Sequence, residues 1–241
     1  MPTNWLYSGS LLGFGLIFGL KHALDVDHLA AVSTIVSESK SLIRSSVIGA
    51  LWGVGHTISL LAVGVLVILL HVQISARTAL ALEFCVALML IALGASTLRK
   101  LARGGRIHLH EHEHDGHVHF HPHVHDGAPE PFAHTHHGFA LNLRPLLVGM
   151  VHGLAGSAAL MLLVLSTVPS PVLGLAYIAV FGIGSICGML FMSALVALPA
   201  RLTAARFNRA HFAVRTLAGV FSVGFGLFMA YEVGIVGGLL L

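Results

Sequence analysis

"LYSGSLLGFGLIFGLKHALDVDHLAAV", Leu6 to Val32, decides how this chain is built. Leu6 to Leu20 carries no charge, and His22, Asp25, Asp27 and His28 follow it directly. An uncharged run of that length belongs in a bilayer, where ionisable side chains are costly and mark function by default. The run extends to Val36, and 31 residues at ~1.5 Å rise exceed a ~30 Å hydrocarbon core. It is still too short for two spans, with no turn residue between Leu20 and His22. The expectation is one span that is long, tilted or interrupted near Asp25 to His28.

Composition agrees with a membrane setting. Of 241 residues, 56% are hydrophobic and 10% charged, against about 25% charged in soluble domains, so the chain cannot cover itself with polar surface. Its Lys and Arg residues are dispersed, with no basic face or aromatic platform, which argues against a nucleic-acid partner. Cys85 and Cys187 lie far apart in apolar runs and form no CxxC pair. The N-terminus has no basic n-region, so no cleaved signal peptide is expected.

Five further apolar stretches, Val47 to Leu70, Thr78 to Leu98, Leu146 to Val168, Val172 to Pro199 and Phe212 to Val236, are each near spanning length. The fold expected is an all-α integral membrane protein of about six transmembrane helices. With the N-terminus outside, Lys40, Arg44, Arg99, Lys100, Arg103, Arg106, Arg144, Arg201, Arg206, Arg209 and Arg215 fall on the cytoplasmic side and Arg77 outside. That is the asymmetry of the positive-inside rule, and it puts both termini outside; in a bacterium the membrane would be the inner one. "GLKHAL" (Gly19 to Leu24) echoes "GMVHGL" (Gly149 to Leu154) at an offset of 130, and "WGVGHT" (Trp52 to Thr57) echoes "FGIGSI" (Phe181 to Ile186) at 129. "FCV" at Phe84 against "FSV" at Phe221 is weaker. Three spans per copy would insert the second copy upside down, giving two inverted three-helix repeats, 1–98 and 145–241, joined by a segment 99–144.

That segment contains "HLHEHEHDGHVHFHPHVHDG". His108, His110, His112, His114, His117, His119, His121, His123 and His125 recur mostly at every second position, and His134, His136 and His137 follow. Such a tract is too polar to build a packed core, and it is expected to be cytoplasmic and disordered without metal. Neutral imidazole is a ligand for Ni, Zn and Cu, and Glu111, Glu113 and Asp115 add oxygen donors. The bland alternative is a solvated spacer.

On an unbroken helix, His22, Asp25 and His28 share a face of about 120° while Asp27 points away; unwinding one turn brings Asp27 in. Either way two imidazoles and a carboxylate converge, a donor set for a divalent first-row ion rather than Mg or Ca. His56, after Gly53 and Gly55, and His152, before Gly153, lie in the repeated motifs. Singly, an intramembrane histidine is often a hydrogen-bonded packing residue; together these two join the candidate metal site. A purely structural Lys21–Asp25 pair is the alternative for the first cluster.

"HALDVDHLAAV" resembles the HAxDADHI-type signature of the NiCoT nickel/cobalt permeases, and "LWGVGHTISLL" is similar to that family's second-span segment. The chain resembles the short, six-span, urease-accessory-type branch, and its His-rich segment resembles those of nickel/cobalt exporters. The acidic motifs in the second half of the longer permeases are absent. The resemblance implies transport of Ni²⁺ or Co²⁺ as substrate, with His22, Asp27 and His28 as signature positions and His56 contributing. The expected function is therefore a secondary transporter acting by alternating access through an intramembrane His/Asp site, with import or export left open. The alternative is a membrane-anchored nickel buffer or donor serving nickel metallochaperones or urease and hydrogenase maturation. No HExxH motif favours a metalloenzyme, no GxxxxGK[ST] loop favours ATP, and no organic cofactor is expected.

Overall fold

The helix that begins in the first apolar run stops at the histidine. In the computed structural model, which describes residues 5–37, 41–103, 107–114, 117–124, 143–168, 170–204 and 208–240, α1 (Trp5–His22) and α2 (Val26–Val36) meet at an angle of 54°. Tight bonds from Leu24 N–H to Lys21 O (2.9 Å) and Asp25 N–H to His22 O (3.0 Å) close the turn. Asp25, in extended conformation, starts α2. Of the alternatives left by the length of this segment, an interrupted helix is the one seen.

The remaining helices are α3 (Leu42–Ile68), α4 (Ala76–Ala102), α5 (Arg144–Thr167), α6 (Pro171–Ala204) and α7 (Asn208–Tyr231), the last running into a π-helical turn at Glu232–Val236. Ser41 and Ser75 accept from Arg44 N–H and Thr78 N–H, capping α3 and α4 where the apolar patterns begin. Leu42–Ile68, Ala76–Ala102, Pro171–Pro199 and Ala210–Val236 are long and apolar enough to cross a membrane, and there are five spans if the bent α1–α2 pair is one. The sixth apolar stretch forms α5, much of whose second half has side chains outside the described residues. Large apolar side chains such as Phe14, Ile17, Val172 and Leu217 face outward, as lipid contact demands.

α3 is the most buried of these spans and α4 and α7 the least. α3 packs on both α5 and α6, α1 packs on α6, and α4 pairs with α7. These contacts recur at the offsets seen in the sequence. A Cβ on Gly19 would strike the backbone of Phe181, and one on Gly149 the backbone of Trp52; a Cβ on Gly55 would strike Leu146, and one on Gly184 would strike Leu16. Without side chains at those positions the helix backbones approach directly, and hydroxyls then reach across. Thr57 donates to Gly182 O (3.2 Å), Ser59 to Met150 O (2.8 Å), Ser185 to Gly19 O (3.3 Å) and Ser222 to Leu90 O (2.9 Å). Each such bond contributes about 0.6 kcal/mol in a bilayer.

Where the sequence led us to expect no regular structure between the halves, β1 (Ile107–His114) and β2 (His117–Val124) form an antiparallel hairpin. Its register sets His108 opposite His123, His110 opposite His121, His112 opposite His119 and His114 opposite His117. The reason is the period: histidine at every second position matches the two-residue repeat of a strand, whatever the polarity. His125, His134, His136 and His137 lie outside the described residues.

Candidate metal centre

The break between α1 and α2 brings the polar residues of the first segment together with two histidines from elsewhere. His22 ends α1, Asp25 and Asp27 flank the start of α2, His28 lies in its first turn, and α3 and α5 deliver His56 and His152. All six expected intramembrane residues meet here. His28, His56 and His152 are buried, with 1%, 0% and 2% of their surface exposed. Ring centroids are 4.1 Å apart for His28 and His152, 4.6 Å for His22 and His28, and 5.3 Å for His28 and His56.

Two carboxylates orient three of the four rings. His22 Nδ1 is 2.7 Å from Asp25 Oδ2. A carboxylate can only accept, so Nδ1 carries the hydrogen and Nε2 keeps its lone pair. Asp25 thus engages His22 instead of capping α2, and no Lys21–Asp25 ion pair occurs among the described residues. Asp27 bridges two rings: His28 Nδ1 donates to Oδ1 at 3.1 Å and His152 Nε2 donates to Oδ2 at 2.9 Å. The backbone N–H of His28 adds a 2.9 Å bond to Oδ1. The break before α2 does not alter the relation of Asp27 to its neighbour His28, since both lie in that helix; it sets the pair at a new angle to His22 at the end of α1.

What remains is a surplus of unused nitrogen. His28 Nε2, His152 Nδ1 and both nitrogens of His56 are buried without a hydrogen-bond partner. Leaving a buried polar atom unpaired costs about 1–3 kcal/mol. Four such atoms in one cluster need a reason, and a bound cation would take up the lone pair of a ring that it meets. Donor atoms fall into two groups, His22 with His28 and His56, and Asp27 with His28 and His152; within each, one atom per residue lies within 4.8 Å of the others.

Sequence reasoning missed the aromatic packing. Trp52 stacks on His28 at 5.5 Å and meets His152 edge-on at 5.6 Å, while Phe181 packs on His22 at 5.4 Å. Trp52 and Phe181 open the paired motifs, and His22 and His152 are paired likewise, so the repeat itself was the available signal. Also missed was a cavity of about 520 Å³ lined by His22, Asp25, Asp27 and His152 together with Lys21, Glu83 and Tyr177. Three carboxylates against one ammonium give its wall a cation-attracting character. Its lining from α4 and α6 comes from their N-terminal halves, at the end of the bundle away from the His-rich segment.

No family model matches the chain, and no solved structure matches it. It is 40% identical over 230 residues to the urease accessory protein UreH of Bacillus sp. (strain TB-90), covering 95% of this chain and 94% of that protein. It is also 27% identical over 180 residues, 73% of its length, to the chloroplast protein FOR GROWTH AND FERTILITY 2 of Arabidopsis thaliana, covering 44% of that protein. Near end-to-end similarity at that identity, on a chain of long apolar helices, makes this a membrane protein of the UreH urease accessory family.

Proposed function

We propose that the chain is a secondary transporter that carries a divalent first-row ion, nickel or cobalt, through the His/Asp cluster. The observation that carries this reading is the surplus of buried, unpartnered imidazole nitrogen at a helix break. Broken helices at a repeat interface are where secondary transporters hold substrate, and nitrogen with a few oxygens suits Ni²⁺ or Co²⁺ while still letting the ion leave. His22, His28, His56 and His152 supply nitrogen; Asp25 and Asp27 supply charge and orientation. The matched contacts of Gly19 with Gly149 and of Gly55 with Gly184 support two inverted repeats, 1–98 and 145–241, that rock about the site.

The arginine-rich connections support a cytoplasmic His-rich segment, with both termini on the opposite side. The cavity then opens away from the cytoplasm, which favours uptake. The histidines paired across β1 and β2 would collect the ion after release, and the kinship with a urease accessory protein supports delivery to urease maturation. The test is flux into proteoliposomes in both directions with Ni²⁺, Co²⁺ and Zn²⁺. Saturable Ni²⁺ or Co²⁺ flux that vanishes in His22→Ala, Asp27→Ala and His28→Ala is expected. Normal flux in all three inserted variants would make the cluster structural and leave the buffering role of the His-rich segment.

A further inference from the structure

The six residues do not compose one coordination shell. His28 is common to both donor groups, and its ring has two edges to offer them. Its Nδ1 faces Asp27, which also holds His152, while its Nε2 is buried and unpartnered. A neutral imidazole has one lone pair, so a metal at Nε2 requires the hydrogen on Nδ1, and a metal at Nδ1 requires it on Nε2. One occupied group therefore denies the ring to the other.

The two groups also differ in access. Asp27 and His152 line the cavity, whereas of the other group only His22 does; His56 is fully buried. The group with two residues on the cavity carries a carboxylate, and the other, which runs from cavity-lining His22 to buried His56, is all imidazole. Six waters at ~30 Å³ each come to roughly 180 Å³, well inside the cavity volume, so a hydrated ion fits as far as Asp27.

We infer that the ion is held in turn by two overlapping three-ligand sets that share His28: a capture set of Asp27, His28 and His152 at the cavity, then an occluded set of His22, His28 and His56. The inference rests on the transport reading and deepens it. In the capture set the carboxylate attracts the hydrated dication and begins to replace its water. On transfer, water shed by the ion takes the hydrogen from His28 Nε2 and returns one to Nδ1, and where His152 bound the ion through Nε2 its hydrogen returns there from Nδ1 in the same way; Asp27, released from the metal, accepts from both rings, and no proton is gained or lost. Asp25 holds the His22 hydrogen on Nδ1 and so presents Nε2 to the occluded ion. The structure as it stands is set for the occluded state. His22 and His152 are repeat mates, one in each set, so exchange of the two halves exchanges their roles.

The test is equilibrium Ni²⁺ binding and release on the full chain in nanodiscs, with His28→Ala as the background that cancels the His-rich segment. Wild type should hold one ion more than His28→Ala. His56→Ala and His152→Ala should each keep that ion in the set left to them. His56→Ala should release it to a chelator at least tenfold faster than His152→Ala, and X-ray absorption should show carboxylate oxygen in the former and nitrogen alone from the protein in the latter. His56→Gln and His152→Gln, which keep a polar side chain of similar size, repeat the comparison if an alanine variant misfolds. Loss of the ion from both variants, as in His28→Ala, would establish a single site and overturn the inference, and two extra ions in wild type would overturn the sharing of His28. No extra ion at all would instead remove the metal-transport reading beneath it.

Discussion

Gly53→Ala tests whether the close approach of α3 and α6 sets the geometry of the site. The added methyl would lie 2.7 Å from Ile186 Cα and 3.2–3.3 Å from its side chain. Carbon atoms at rest stand ~3.5–4.0 Å apart. The nearest neighbour is backbone, so the helices must part by about 1 Å. Overpacking of this kind costs ~1–3 kcal/mol, and the better helix propensity of alanine returns up to about 1 kcal/mol, so the variant should insert with a modestly lower melting temperature. Its effect on binding should be larger. His56 rides on α3 one turn from Gly53, and His22 rides on α1, which packs against α6. Parting α3 from α6 therefore parts His56 from His22. Their donor atoms lie within 4.8 Å, while two ligands at ~2.0–2.1 Å from one ion can be no more than about 4.2 Å apart. Parting the two rings by about 1 Å works against their closing on one ion. Losing one ligand should weaken binding by about 10–100-fold. The assay is Ni²⁺ binding and initial uptake in proteoliposomes, with Gly224→Ala as control, since a Cβ there meets nothing within 4 Å. Uptake by Gly53→Ala within twofold of wild type would refute the reasoning.

Asp27→Asn should be nearly as damaging to uptake as Asp27→Ala. Asp27 accepts from two ring nitrogens, whereas an amide offers one oxygen and turns a donor on the second ring; wild-type flux in Asp27→Asn would show that its charge and double acceptance are dispensable. Asp25→Ala should insert normally and weaken Ni²⁺ binding by about tenfold, because only the orientation of His22 is lost; an unchanged isotherm would remove its positioning role. Deleting residues 107–137 should lower the number of ions retained per chain and leave flux through the cluster, which equilibrium dialysis and uptake can separate; loss of all flux from an inserted deletion variant would mean the segment belongs to the pathway. Protease applied from the face opposite the His-rich segment should leave it uncut, and cleavage there would reverse the proposed topology.

Much of the site was legible because its signals are local. Charge inside an apolar run identifies His22 to His28 without reference to anything distant, and the glycine-rich echoes point to His56 and His152. The break in the first span was legible only as one of several options, because length excluded a straight upright helix without saying where the chain would yield. The roles of the two aspartates were not legible at all. Helical spacing turned Asp27 away from the face of His22, Asp25 and His28, and only unwinding or the family resemblance brought it in; its second oxygen is taken by His152, 125 residues away, and no periodicity encodes that bond. Lys21 four residues before Asp25 read as a pair on helical spacing, but the helix ends at His22 and the spacing no longer applies. The hairpin was missed because polarity was weighed above period in a stretch where the two disagree.

The halves match where they pack and differ where they bind. Gly19 answers Gly149, Gly55 answers Gly184, and the aromatic at Trp52 answers Phe181. Of the donors, only His22 has a counterpart, His152; Asp27, His28 and His56 are answered by Ser157, Ala158 and Ser185. Electrostatics gives a reason for that asymmetry. The cluster is small, with His56 and His152 centred 6.0 Å apart. Two complete symmetric sets would hold two dications about that far from each other, and at an effective dielectric of about 20 their repulsion is ~11 kcal/mol. That exceeds what one weakened ligand set can recover, so the second ion would be expelled or the site would stay half empty. In the proposed transporter, a single His28 between paired histidines would keep the symmetry that exchange of the halves requires while the ligands held one ion at a time.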